Sequence, residues 1–237
     1  MRKKPFASKT LVRRVLRDTT PVMAGYLVLG AGFGILSRAS GFGAGTVFSL
    51  SAFVYAGSMQ FLAIPLLREG VSLALLALTT VLVNARHIFY GISMIDRYRD
   101  TGVFKPYLIF ALTDETYSLV CSDAGKPSDA DRIIYYFLVS LFDQLYWVTG
   151  SVAGWLAGSL LHFDTTGLDF ALTALFLTIL VDQWKTGEHR LPAVLGVLIS
   201  VACLLLFGAS GFLLPAMALI TVSLFLIRGK EEQKDAV

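Results

Sequence analysis

The sequence predicts an all-α protein that crosses a membrane several times, a polytopic transmembrane helical bundle. Hydrophobic residues fill 55% of the 237 positions and charged residues 16%, against about 25% charged residues in an average soluble domain. The mean hydropathy is +0.68, so too little polar surface is present to cover a water-soluble globule. The apolar runs do not alternate with a period of two and exceed the length of a barrel strand, which favours helices.

A membrane-crossing helix needs about 20 mainly apolar residues. Runs near this length predict about seven or eight membrane segments: Pro21–Ser37, Thr46–Leu67, Val71–Ile95, Val103–Cys121, Arg132–Leu161, Leu168–Trp184, Leu191–Phe207 and Gly211–Ile227. The first is expected to begin at the signal Thr19-Thr20-Pro21. This divides the chain into a basic cytoplasmic N-terminal segment (1–18), a transmembrane domain (19–227) and a charged cytoplasmic tail (228–237).

Basic residues are concentrated before the first apolar run: Arg2, Lys3, Lys4, Lys9, Arg13, Arg14 and Arg17. Beside a membrane segment such a flank marks the cytoplasmic side, so we expect a multi-pass protein of the cytoplasmic membrane with its N-terminus inside, and not a nucleic-acid-binding arm. Eight crossings would place both termini inside. They would also place Arg97, Arg99 and Lys105 outside, against the positive-inside rule.

A second topology removes that conflict. Segment 46–67 would be re-entrant and segment 132–161 would be broken, so that the C-terminus stays inside. Both segments are interrupted by Gly and Ser at comparable positions in the two halves, which is typical of inverted-repeat transporters with discontinuous helices. The sequence leaves both topologies open.

Polar side chains inside the apolar segments are the candidates for function, because an ionisable group at mid-bilayer costs at least ~2.5–3.5 kcal/mol. The third segment carries Asn84, Arg86, His87 and Tyr90. On one continuous helix Asn84, His87 and Tyr90 would share a broad face. Arg86 either lines a substrate path or extends to the membrane interface.

Three further positions or clusters extend this polar set. Asp114 and Glu115 are the natural counter-ions for Arg86, and a buried carboxyl suits proton coupling; the alternative is a structural ion pair. Asp143 lies deep in the fifth segment and is a candidate for the polar core. Tyr55, Gly57 and Gln60 mark a predicted break that would free backbone N–H groups for a carboxylate, unless they form an ordinary interhelical contact.

Small residues recur at a spacing of four, at Gly30 and Gly34 and again at Gly150, Gly154 and Gly158. Such faces let helix backbones approach closely in lipid. The two cysteines and three histidines are too scattered for a metal site, so neither a metal nor a cofactor is expected. No HExxH or GxSxG signature is present, which argues against a membrane enzyme.

Four stretches together resemble the AzlC family, the large subunit of branched-chain amino acid exporters of the LIV-E type. They are LSAFVYAGSMQF (50–61), VNARHIFYG (83–91), LTDE (112–115) and GLDFALTALF (167–176). The resemblance covers nearly the whole chain after the basic N-terminus. The chain departs from the family pattern at Thr173, where proline is expected, and this puts a helix kink there in doubt.

The resemblance implies export of valine, leucine, isoleucine and sometimes methionine, coupled to the proton gradient. It also implies a small AzlD-type membrane subunit as partner. By motif match, the family's Tyr-Ala-Gly-x-x-Gln stretch transfers to Tyr55, Ala56, Gly57 and Gln60, and its Asn-x-Arg-His-x-x-Tyr stretch to Asn84, Arg86, His87 and Tyr90.

The expected mechanism is alternating access by a secondary carrier embedded in lipid. N–H groups near Gly57, or Arg86, would hold the substrate carboxylate, and Asp114 or Glu115 would face the ammonium or carry the coupling proton. Phe61 and Phe89 would line the pocket for the side chain. The alternative is a channel or a carrier for another small solute. Flux measured with an uncoupler present would separate a channel from a proton-coupled exporter.

Overall fold

The computed structural model describes residues 8–121, 129–160, 177, 181, 184, 191–212, 215–220 and 222–223. Every regular element in this described part is helical. The predicted segment Leu168–Trp184 lies largely outside the described residues, and Gly211–Ile227 lies partly outside them. Thr173, His162 and His189 also lie outside the described residues.

The first helix, α1, runs from Lys9 to Ala39. It begins at Ser8, whose hydroxyl accepts the Leu11 N–H at 3.1 Å and caps the helix. The predicted start at Thr19-Thr20-Pro21 is therefore wrong. The Thr19 and Thr20 hydroxyls donate to carbonyls one turn back in the same helix, and Pro21 is accommodated inside it. Of the basic residues, Lys9, Arg13, Arg14 and Arg17 lie in the first turns of α1, where Leu11 and Val15 are buried.

The second predicted segment is broken, which is one of the two alternatives that the sequence leaves open. Helix α2 (Ala44–Ser49) continues as a π-helix over Leu50–Val54. Tyr55 then takes a left-handed conformation with φ 47°, and α3 begins anew at Gly57 and ends at Arg68. A left-handed bulky residue costs about 1–3 kcal/mol and persists where surrounding packing enforces it.

Two further segments that the sequence predicts as continuous are also broken. The third divides into α4 (Leu73–Val83) and α5 (Arg86–Met94). The fourth divides into α6 (Lys105–Phe110), preceded by a 3₁₀ turn over Gly102–Phe104, and α7 (Asp114–Cys121). Hydropathy alone does not reveal either break, because Asn84 at the end of α4 is a single polar residue beside small and apolar ones. The other polar residues, Arg86, His87, Asp114 and Glu115, lie in the first turns of the helices that follow.

The fifth segment is one unbroken helix, α8 (Asp129–Leu160), so the alternative topology that needs a break in 132–161 is wrong on this point. The glycines of α8 allow its backbone to pack closely against α1. An added Cβ on Gly30 would lie 2.9 Å from the Trp147 carbonyl oxygen, and one on Gly150 would lie 2.8 Å from that of Tyr26. The predicted small-residue faces are thus confirmed: backbone meets backbone where a side chain would not fit.

The helices form two compact units. The first comprises Met1–Gly70 and Arg86–Thr165, and its core joins α1 to α8 and to residues of α5, α6 and α7. The second comprises Val71–Ala85 and Thr166–Val237, with α4 and the helix α9 (Leu191–Gly211), which is kinked at Gly208. That kink agrees with the predicted end of the seventh segment at Phe207.

By length and composition, α1 is the one helix in the described part of the chain that is both long and apolar enough to cross a bilayer. Ala44–Val54, Leu73–Val83 and Ala193–Gly208 are apolar but shorter. The all-α class is confirmed for the described residues. The number of crossings and the side on which each loop lies stay predictions.

Candidate functional site

The helix break between α2 and α3 is held by α8. The Trp147 indole N–H donates to Oε1 of Gln60 at 3.0 Å, and the Gln60 amide donates to Oγ of Ser51 at 3.3 Å. Gln60 is 1% exposed, so both hydrogen bonds lie away from solvent. Gly57 starts α3 directly against this ring, since a Cβ there would lie 3.2 Å from a Trp147 ring carbon.

The π-helix before the break has its own link to α8. The Gln144 side chain donates to the Ala52 carbonyl at 2.9 Å and accepts from the Tyr107 hydroxyl at 2.7 Å. Gln144 therefore joins the π-helix to α6. π-bulges recur at functional sites because they leave carbonyls displaced from the helical ladder, and here one such carbonyl is satisfied by another helix.

The two acidic residues predicted as candidates in the fourth segment occupy the first turn of α7. Thr113 precedes this turn and accepts the Thr116 N–H at 3.3 Å through its hydroxyl, which is the position and role of a helix cap. Carboxylates in a first turn are favoured by the positive end of the helix dipole. Tyr26 of α1 donates to Oε2 of Glu115 at 2.6 Å, and its oxygen lies 2.7 Å from Oγ1 of Thr113.

Asp143 of α8, the candidate for the polar core, is 0% exposed. The Thr116 hydroxyl donates to its Oδ2 at 2.8 Å, and Thr113 donates to the Thr116 hydroxyl oxygen at 3.1 Å. Its second oxygen, Oδ1, has no hydrogen-bond partner among the described residues. A buried carboxylate oxygen without a donor is costly, so it marks a place where a ligand group or a proton can bind.

The Tyr55 hydroxyl faces the same region. It is buried, and the Tyr26 hydroxyl is among its neighbours. The charges that act on it are those of Asp143 and Glu115. The left-handed backbone conformation of Tyr55 thus directs its hydroxyl toward the carboxyl groups of Asp143 and Glu115. We call Tyr26, Tyr55, Thr113, Glu115, Thr116 and Asp143 the buried polar cluster.

Aromatic rings pack beside this cluster. Trp147 stacks on Phe33 at 6.3 Å and meets Tyr26 edge to face at 5.5 Å. Phe61 meets Phe33 edge to face at 5.6 Å. Phe61 thus belongs to this packed aromatic group, and its role in lining a substrate pocket stays a prediction. The Phe89 side chain lies outside what the structure describes.

The predicted polar set of the third segment is divided. Asn84 follows α4 in the second unit, where its amide donates to the Thr80 carbonyl at 2.9 Å, so it does not share one helix face with His87 and Tyr90. The expected shared face is wrong because α4 ends at Val83. Arg86 is the first residue of α5, but its side chain lies outside the described part, and its predicted pairing with Asp114 or Glu115 stays a prediction.

His87 and Tyr90 remain together on α5, with their rings 5.8 Å apart edge to face. Tyr90 stacks on Tyr117 of α7 at 4.6 Å. A cavity of about 240 Å³ opens beside α5 and α6, lined by His87, Gly91, Met94, Ile95, Tyr98, Lys105, Ile109 and Leu112. Its wall is mainly aliphatic with two basic residues, and Leu112 lies next to Thr113 of the cluster.

Sequence reasoning missed Tyr26, Thr113 and Thr116 as site residues. A signal existed for Tyr26, because it lies four residues before Gly30 and eight before Gly34, on the face that packs against α8. Thr113 and Thr116 flank the two acidic residues at the spacing of a helix cap. Among the described residues, no group of three His, Cys, Asp or Glu side chains that could hold a metal occurs.

Comparison with known proteins gives a consistent set of relatives. A family model described as AzlC protein matches residues 21–161. The branched-chain amino acid transport protein AzlC of Bacillus subtilis is 41% identical over 217 residues, 92% of this chain and 85% of that protein. A membrane protein of Helicobacter pylori is 40% identical over 214 residues, 90% of this chain and 93% of that protein.

A more distant relative is the inner membrane protein YgaZ of Escherichia coli, 28% identical over 178 residues, or 73% of each chain. No solved structure matches the chain. Relatives named as membrane proteins cover nine-tenths of the sequence, and the chain is a helical membrane protein like them.

Proposed function

Because the chain belongs to the AzlC family, we propose that it is a secondary active exporter of branched-chain and other hydrophobic amino acids. The proposal is for transport across the cytoplasmic membrane, coupled to protons, with the N-terminus on the cytoplasmic side. It includes a small AzlD-type membrane subunit as partner. The name of the Bacillus subtilis relative supports the substrate class.

The observation that carries the proposal is the buried polar cluster itself. Two carboxyl-bearing residues, Glu115 and Asp143, belong to one hydrogen-bonded cluster next to a helix break, inside a chain of high mean hydropathy. Buried carboxylates are expensive in such surroundings and mark substrate or ion pathways. Discontinuous helices are where carriers bind polar substrates, because broken backbone exposes N–H and C=O groups.

A zwitterionic substrate needs an anion site, a cation site and an apolar pocket. We assign its carboxylate to the start of α3 at Gly57, where no side chain caps the described helix and the helix dipole favours negative charge. Its ammonium goes to the unpartnered oxygen of Asp143, with the Tyr55 hydroxyl nearby. The aliphatic cavity beside Leu112 offers space for a branched side chain.

The test uses purified protein, together with its partner subunit if one co-purifies, in vesicles loaded with labelled valine. Asp143→Asn, Glu115→Gln and Arg86→Ala should each slow gradient-driven export. A hydrogen bond to a charged group is worth about 1.5–3 kcal/mol, so roughly 10-fold or greater losses are expected. Asp96→Asn is the matched control, because Asp96 is an exposed acid paired with Arg99 at 2.8 Å.

Export of valine at the wild-type rate by Asp143→Asn and Glu115→Gln would refute this function. Valine flux that persists unchanged when an uncoupler collapses the proton gradient would favour a channel. A wild-type protein that moves another small solute and no amino acid would favour the alternative carrier.

A further inference from the structure

The two carboxyls of the buried polar cluster are joined by an unbroken series of hydroxyl groups. From Glu115 the series passes through the Tyr26 hydroxyl at 2.6 Å and the Thr113 hydroxyl at 2.7 Å. It continues to the Thr116 hydroxyl at 3.1 Å and reaches Asp143 at 2.8 Å. We propose that these hydroxyls form a proton relay that moves one proton between Glu115 and Asp143.

The chemistry of the groups permits transfer in both directions. Each of the three hydroxyls holds one proton and can accept another on its oxygen. When Glu115 is protonated it gives its proton to Tyr26, Tyr26 gives its own to Thr113, Thr113 to Thr116, and Thr116 to Asp143. Each hydroxyl ends with one proton, and the net change is one proton moved from Glu115 to Asp143.

The two ends of the relay differ in their exposure to solvent. Asp143 is 0% exposed, whereas Glu115 is only partly buried. A proton that reaches Asp143 through the relay therefore enters at Glu115. The other titratable groups whose charges interact with Asp143 are Tyr55, Tyr107 and Tyr135, and these phenols are not members of the relay.

The relay rests on the proposed function for its biological use. In that function Asp143 accepts the substrate ammonium only while it is ionised. A proton delivered through the relay neutralises Asp143 and releases the substrate, so proton and substrate compete for one carboxyl. Such competition makes the binding of each dependent on the other, which is what antiport coupling requires.

The direct test follows the exchange of the Asp143 proton and needs no substrate. The infrared carbonyl band of a protonated carboxyl shifts when its proton is replaced by deuterium. In purified protein at acidic pH, the band that Asp143→Asn removes is assigned to Asp143, and its shift is timed after transfer to heavy water. Thr116→Val and Tyr26→Phe each remove one hydroxyl and should slow this shift by about 10-fold or more, since positioned proton donors contribute at least 100-fold in rate.

Thr116→Ser restores a hydroxyl and should exchange at the wild-type rate, which a merely structural role for Thr116 would not predict. Tyr146→Phe and Thr20→Val are matched controls, because their hydroxyls bond to Thr19 and to the Leu16 carbonyl outside the relay. An unchanged rate in both Thr116→Val and Tyr26→Phe would overturn the relay. So would the absence of any Asp143 carboxyl band while the protein remains folded.

A transport measurement separates failure of the relay from failure of the proposed function. In vesicles, the ratio of gradient-driven export to valine–valine exchange should fall in Thr116→Val and recover in Thr116→Ser. If the infrared result holds but no amino acid is moved by the wild-type protein, the relay stands and the proposed function falls. If valine is exported with an unchanged ratio in Thr116→Val, the relay falls and the proposed function stands.

Discussion

The indole nitrogen of Trp147 donates a 3.0 Å hydrogen bond to the side-chain oxygen of Gln60, across 87 positions of sequence. This bond fixes the helix that restarts after the Tyr55 break against the longest helix of the described chain. The same ring packs against Gly57 and meets Tyr26. One tryptophan thus holds together the broken segment and the helix that carries the acceptor of the proposed relay.

Replacement of Trp147 by Phe keeps a ring but removes the donor to Gln60. A buried acceptor left without a donor costs about 1–3 kcal/mol, so we expect lower stability by that amount in denaturant unfolding of the detergent-solubilised protein. Trp155→Phe removes an indole donor from the same helix, bonded to the Phe42 carbonyl, and in the same measurement shows the cost of losing an indole donor that does not hold Gln60. A Trp147→Phe protein with wild-type stability would contradict the role given to this bond.

The close packing of α1 against α8 predicts that alanine substitutions at two neighbouring glycines have opposite effects on stability. A Cβ on Gly34 would overlap the backbone of Ser151 and Gly154, whereas one on Gly32 would meet nothing within 4 Å. Gly34→Ala should destabilise the protein by about 1–3 kcal/mol or more, as overpacking does. Gly32→Ala should be neutral or stabilising. Thermal unfolding in detergent distinguishes them, and equal melting temperatures would contradict the packing.

Gln144 is expected to matter for the shape of the π-helix. Gln144→Leu loses both the bond to the Ala52 carbonyl and the bond from Tyr107, while Tyr107→Phe loses only the second. We therefore expect Gln144→Leu to cost about 1–3 kcal/mol and Tyr107→Phe about 1 kcal/mol. Valine export should fall more in Gln144→Leu than in Tyr107→Phe. A larger loss in Tyr107→Phe would contradict the role given to Gln144.

The aliphatic cavity makes a prediction about substrate size. Gly91 lines it, and a side chain added there would begin in open space. Gly91→Leu should lower export of leucine at least about 10-fold more than export of alanine, because one methylene in an apolar pocket is worth about 1–3 kcal/mol. Gly45→Leu, also without neighbours within 4 Å, is the control. An equal loss for both amino acids would place the substrate side chain elsewhere.

Local pattern predicted much of the fold correctly. Hydropathy indicated the helical membrane class, and the motif around Gly57 offered the break between α2 and α3 as one of two alternatives. It did not reveal the breaks at Asn84-Ala85 and at residues 111–113, because one polar residue in each, Asn84 and Thr113, does not end an apolar run. It also suggested a break within 132–161, because the same glycines that can interrupt a helix can instead serve close packing.

The candidate site shows the same difference between what the sequence determines and what only the tertiary structure decides. The sequence by itself determined that Glu115, Asp143, Tyr55 and Gln60 are polar groups in apolar surroundings, which must find partners or carry function. Only the tertiary structure decided which partners they find. Tyr26 reaches Glu115 across 89 positions, and Thr116 reaches Asp143 across 27. The physical reason is that periodicity places a residue on a face of its own helix, whereas the glycine-lined contact between α1 and α8 decides which faces meet.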